Sequence, residues 1–91
     1  MKKRVALKIY GLVQGIGYRY SSQKEAKIRG FSGYVKNLSD GNIELVAEGE
    51  QADLQNFINW CYNGVGSAMI SKIEQNWSQA TSEFSGFVIR D

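Results

Sequence analysis

Residues 13–19 read Val13-Gln14-Gly15-Ile16-Gly17-Tyr18-Arg19 and follow directly on a strand-like run. Two glycines one residue apart let a backbone turn tightly and leave its N–H groups uncovered. An arginine closes the run. Several N–H donors and one guanidinium facing the same point make an anion nest, and a phosphate group fits it. The planar fork of Arg19 can take two phosphate oxygens and stays charged at any working pH. The bland alternative is a surface arginine paired with Glu25 or another carboxylate. Asn37 is the second candidate, late in a strand and just before Asp40-Gly41. Its neutral amide can hold a water by donating and accepting at once. The bland alternative there is a turn-flanking Asn that caps its own backbone.

Other chemistry is narrowed by what the chain lacks. It has no His and a single Cys. Zinc sites, Cys–His pairs and Ser–His–Asp triads therefore have no residues to build them, and catalysis must use Arg, Lys, Asp, Glu, Tyr, amides or backbone. No Gly-Lys-Ser/Thr follows the nest, so it is not a Walker A loop. Asp40 and Glu44 flank a hairpin and do not read as a catalytic pair. Cys61 lies on an apolar helical stripe and reads as core, Trp60 and Trp77 as packing residues, and Lys2-Lys3-Arg4 as a solvated N-terminal edge.

The elements that must position these residues follow from periodicity. Val5, Leu7 and Ile9 alternate with Ala6, Lys8 and Tyr10, which predicts a half-buried strand. The glycine loop follows at Gly11–Gly17. Tyr18 to Arg29 carries no breaker; Tyr18, Ser22, Ala26 and Arg29 share one side of a helix that Gly30 stops. Phe31–Leu38 reads as a strand, Ser39-Asp40-Gly41-Asn42 as a tight turn, and Ile43–Glu48 as the partner strand, ended by Gly49. A second helix begins at Gln51 or Asp53. Its stripe, Leu54, Phe57, Ile58 and Cys61, has helical spacing, and Asn63-Gly64-Val65-Gly66 stops it. Met69–Trp77 and Phe84–Ile89 are strand-like. The order β-α-β-β-α-β with an extra strand near the end predicts an α+β, ferredoxin-like sandwich: a mainly antiparallel sheet with two helices on one face.

Ninety-one residues allow one domain, 1–91, burying roughly 60–65% of its extended-chain surface. The apolar fraction of 43% marks a globular chain. A lone Cys excludes an internal disulfide and points to a reducing, cytoplasmic setting. No apolar run reaches membrane-span length. A net charge of +2 gives no reason to expect nucleic acid as a partner. A monomer is the expected state.

Taken together, the two segments resemble the acylphosphatase family. The family's first signature, hydrophobic-x-Gly-x-Val-Gln-Gly-Val-x-Phe-Arg, is met here by Ile9-Tyr10-Gly11-Leu12-Val13-Gln14-Gly15-Ile16-Gly17-Tyr18-Arg19. The second is met by Gly33-Tyr34-Val35-Lys36-Asn37, three residues, Gly41-Asn42-Ile43, five residues, then Gly49. The similarity extends over essentially the whole chain. Tyr18 stands where Phe or Met is usual, Ile16 and Ile43 replace Val, and Gly64-Val65 replaces a Gly-Pro.

The resemblance implies a metal-independent, cofactor-free enzyme that splits carboxyl-phosphate mixed anhydrides, such as acetyl phosphate, into a carboxylate and inorganic phosphate. It implies that Gln14, Gly15, Ile16, Gly17, Tyr18 and Arg19 form the phosphate cradle, that Arg19 binds phosphate, and that Asn37 positions the attacking water. Inorganic phosphate would be product and inhibitor. The rival readings are an RNA-binding module on the same fold, a phosphate-binding module without turnover, and a piece of a larger carbamoyl-phosphate-handling enzyme. The chain's Met start and its end just after the last strand favour a free-standing enzyme.

Overall fold

The computed structural model describes all residues, Met1–Asp91. The chain runs β1 (Lys2–Leu12), α1 (Tyr18–Ile28), β2 (Ser32–Asn37), β3 (Ile43–Glu50), α2 (Gln51–Asn63), β4 (Met69–Gln79) and β5 (Phe87–Arg90). The strands form one sheet in the order β4-β1-β3-β2-β5. All neighbours are antiparallel except β2 and β5, which run parallel. This is the ferredoxin-like α+β sandwich with an added C-terminal edge strand.

Alternation sets which side of the sheet is covered. Val5, Leu7 and Ile9 of β1, Val35 of β2, Ile43, Leu45 and Ala47 of β3 and Ile73 of β4 point to one face and are buried. Leu54, Phe57, Ile58 and Cys61 of α2 and Tyr18 and Ala26 of α1 pack onto them in a single core cluster. Buried apolar area on that face is the main stabilising term. Phe57 anchors it, edge-on to Phe31 and stacked on Trp60.

Several boundaries differ from the expected ones, three of them with consequences. β1 begins at Lys2 rather than Val5, because it lies between β3 and β4 and is hydrogen-bonded on both sides from Lys3 onward. Arg4 is therefore no solvated edge: it pairs with Glu83 and lies 3.7 Å from Glu48. β3 continues through Gly49 to Glu50. Gly49 does not end the strand; it makes room, since a Cβ there would lie 2.5 Å from the Phe31 ring.

The last strand begins at Phe87, not Phe84. β4 and β5 occupy opposite edges of the sheet, four strand spacings or about 19 Å apart. Residues 80–86 must cross that distance, and seven residues reach only about 24 Å when extended. They form a taut strap over the helix-free face. Glu48 accepts hydrogen bonds from the N–H and hydroxyl of Thr81 and the N–H of Ser82, all at 2.9 Å. Phe84 packs edge-on against Tyr34 and under Arg4. The strap covers Glu48, which alternation alone would leave in solvent.

Candidate active site

Gly15 and Gly17 have φ of 81° and 80°, and Ile16 between them does not share that conformation. This alternation turns successive N–H groups toward one point. A side chain at either glycine would meet nothing within 4 Å, so the left-handed backbone, not crowding, requires glycine there. Gly17 is also the N-cap of α1, where it supplies no side-chain cap, and the first turn of α1 holds no acidic residue. The first N–H groups of the helix thus keep their donors and their positive pole for an outside anion.

Arg19 follows in that first turn. It takes no part in any ion pair, and Glu25, the partner the bland reading offered, is bound instead to Arg29 at 2.8 Å. Its Nη1 donates to the backbone carbonyl of Arg90 at 3.3 Å, which ties the guanidinium to the end of β5. The charge remains uncompensated, and the other donors of the fork are left for a ligand.

Asn37 lies at the end of β2 and makes no side-chain hydrogen bond to its own backbone or to any other group; its Oδ1 is buried without a partner. A buried acceptor left alone costs about 1–3 kcal/mol. Such an atom is better explained by what it holds during function than by what it does for the fold.

Val13, Gly15, Gly17, Tyr18, Arg19, Tyr20, Asn37 and Ile89 line one cleft of about 180 Å³. The fold brings Asn37 to the loop because α1 packs on β2 and β5. Tyr20 (67% exposed) and Ile89 (37%) stand at the cleft without a place in the expected site. Ile89 comes from the far end of the chain and carries no local signal; Tyr20 is an exposed helical aromatic that periodicity does not single out.

Ile16 and Gln14 stand back from the cleft. Ile16 packs against the core. The amide of Gln14 donates to the carbonyls of Leu38 (2.8 Å) and Asn42 (2.9 Å). Any part that Gln14 takes in the cradle falls to its backbone N–H. The Tyr18 hydroxyl, which needs a partner once buried, donates to the Cys61 carbonyl at 2.6 Å. Burial, and then the Cys61 thiol, push this phenol far above its ordinary pKa, so it stays neutral.

The family model for acylphosphatase matches residues 5–89. The chain belongs to the acylphosphatase family. An acylphosphatase of Roseiflexus sp. strain RS-1 is 41% identical over 81 residues, spanning 89% of this chain and 87% of that protein. One from Caldanaerobacter subterraneus subsp. tengcongensis is 38% identical over 89 residues, covering 98% and 99%. The crystal structure of the Bacillus subtilis acylphosphatase superposes with a TM-score of 0.93 at 34% identity, over 98% of this chain and 99% of that one. As a member of this family, the chain is an enzyme, a hydrolase of acyl phosphates that releases a carboxylate and inorganic phosphate.

Proposed function

We propose that residues 1–91 act as one domain in which Gly15–Arg19 hold the phosphoryl group and Asn37 holds the water that attacks it. The observation that carries this reading is the meeting of an unpaired guanidinium and an unpartnered buried amide oxygen on one small cleft. The N–H groups of the nest and helix start, with Arg19, bind the phosphoryl oxygens and take up their developing charge. Asn37 Oδ1 accepts a hydrogen bond from water and leaves the water's lone pair to face phosphorus. The water oxygen bonds to phosphorus as the bond from phosphorus to the acyl oxygen breaks. That electron pair departs on the carboxylate, a weak base that needs no proton, so the absence of His costs the reaction nothing. One water proton passes to a phosphoryl oxygen, and the second remains on the new phosphate until solvent takes it. The charge stabilisation needed is supplied by protein donors, so the reading requires no metal and no cofactor.

The helix-free sheet face supports a small-molecule substrate over nucleic acid. Three of its lysines are matched: Lys8 with Asp40, Lys36 with Glu44, Lys72 with Glu74. Tyr10 and Tyr34 spend their hydroxyls on Glu74 and Glu44. Lys8 and Lys72 lie by the Tyr10 ring and Arg90 lies over Tyr34 at 4.0 Å, so neither ring offers a free platform for a base. No helix is long and apolar enough to cross a membrane. A cytoplasmic monomer is part of the same proposal, supported by the buried free thiol of Cys61 and by the charged residues on edge strand β4.

Phosphate binding tests the division of labour. Inorganic phosphate should inhibit competitively. Arg19→Ala should raise its inhibition constant about 10- to 100-fold, the worth of one or two charge-assisted hydrogen bonds. Asn37→Ala should leave that constant nearly unchanged. Equal phosphate inhibition of wild type and Arg19→Ala would remove Arg19 from the cradle.

A further inference from the structure

Gln14 sits in the cradle loop, yet its side chain turns away from the cleft. Its Nε2 donates to the carbonyls of Leu38 and Asn42 at 2.8 and 2.9 Å. These two carbonyls belong to the turn that follows Asn37, where the Leu38 N–H also donates to the Asn42 carbonyl at 2.8 Å and the Gly41 N–H to the Leu38 carbonyl at 3.2 Å. Both amide hydrogens of one side chain thus close the neck of the turn from outside. The contact is partly buried, and it joins segments 24 and 28 residues apart. The remainder of the turn is held by an exposed bond from the Asn42 N–H to Asp40 and by the Asp40–Lys8 ion pair. Neither touches the cradle.

We propose that Gln14 is a positioning residue: its amide fixes the peptide after Asn37 against the phosphate cradle and so sets the separation between the water held by Asn37 and the phosphorus. This rests on the reading that Asn37 positions the attacking water. The chemistry demands such a strut. In-line attack tolerates little error in distance, and a displacement near 1 Å costs on the order of 10²-fold in rate. Asn37 itself has no protein hydrogen bond to hold its amide, so its aim depends on the backbone that carries it. A neutral amide supplies two donors and bridges two carbonyls without bringing a charge. Glu has no donor when ionised, and Lys would bring a charge.

The test is steady-state hydrolysis of benzoyl phosphate with inorganic phosphate as inhibitor, in wild type, Gln14→Met, Asn37→Ala and the double variant. Gln14→Met keeps length and removes both donors. The proposal predicts at least a tenfold lower kcat for Gln14→Met, with KM and the phosphate inhibition constant within about twofold of wild type. In the Asn37→Ala background the same change should cost less than twofold, because the residue it aims is gone.

A phosphate constant that rises while kcat holds would make Gln14 part of the cradle and overturn the proposal. So would an unchanged kcat. Additive losses in the double variant would overturn it while leaving the Asn37 reading intact. Wild-type turnover by Asn37→Ala alone would overturn both. Should Gln14→Met fail to fold, Gln14→Glu carries the test: its kcat should rise as pH falls and the carboxyl regains a donor, a limb absent from wild type. A Gln14→Glu profile parallel to wild type would contradict the proposal.

Discussion

At the scale of single residues, the polar groups divide by whether the protein satisfies them. Tyr18 is 1% exposed, yet its hydroxyl finds the Cys61 carbonyl in the last turn of α2, where no helical N–H follows to claim it. Tyr18→Phe should lower stability by about 1–2 kcal/mol, read as a lower denaturant midpoint at constant m-value. Equal stability would mean that the carbonyl has another donor. Cys61, whose thiol burial pushes up to about 12, is a packing residue and not a nucleophile. Asn37 is the opposite case, with a buried acceptor that nothing in the chain uses. The residue types at 15, 17, 19 and 37 were readable from spacing. The state of their partners was not: that Glu25 binds Arg29 rather than Arg19 depends on helix rotation and neighbours, which a linear pattern does not encode.

At the scale of elements, the two helices and the first four strands follow from periodicity with shifts of a few residues at their ends. The strap was the exception. Residues 80–86 look like an ordinary polar stretch, and nothing local says that they span the whole sheet. Their length becomes meaningful only once β4 and β5 are known to lie at opposite edges. Glu48 clamps the strap near its start, at Thr81 and Ser82, and is only 6% exposed. Burial alone would raise its pKa, but the N–H groups of Thr81 and Ser82, the Thr81 hydroxyl and the nearby Arg4 outweigh it and hold the carboxyl below its ordinary value. A lowered folded-state pKa stabilises the fold above the unfolded value of about 4.3, and that stability is lost as pH falls through the folded value. Stability should therefore decline below about pH 4.3. Glu48→Gln should cost about 1–3 kcal/mol at neutral pH, because its amide would set a donor against the strap's N–H groups, and should flatten the acid limb. An acid limb as steep in the variant as in wild type would assign it to the exposed carboxylates instead.

At the scale of the whole molecule, the site is a product of topology. The cradle joins β1 to α1, Asn37 ends β2, and Ile89 and the Arg90 carbonyl come from β5. Parallel pairing of β5 with β2 carries the C-terminal end to the same rim as Asn37, with Tyr34 level with Val88 and Lys36 with Arg90. The two signature segments made the cradle and Asn37 legible in the sequence. The anchoring of Arg19 by β5 and the bracing of the turn by Gln14 were not, since in both a side chain donates to a backbone carbonyl of a distant segment. The helices close one face and the strap crosses the other, leaving a small frame around the Asn37 amide, the Arg19 guanidinium and the loop of Gly15 and Gly17. The central claim is that this frame hydrolyses acyl phosphates by aiming a water from Asn37. It is tested most directly by turnover of benzoyl phosphate in the presence of EDTA, comparing wild type with folded Asn37→Ala. The account predicts full activity of the wild type under chelation and about 10²-fold lower kcat in the variant, the worth of one lost transition-state contact of about 3 kcal/mol. Wild-type turnover by Asn37→Ala would contradict it.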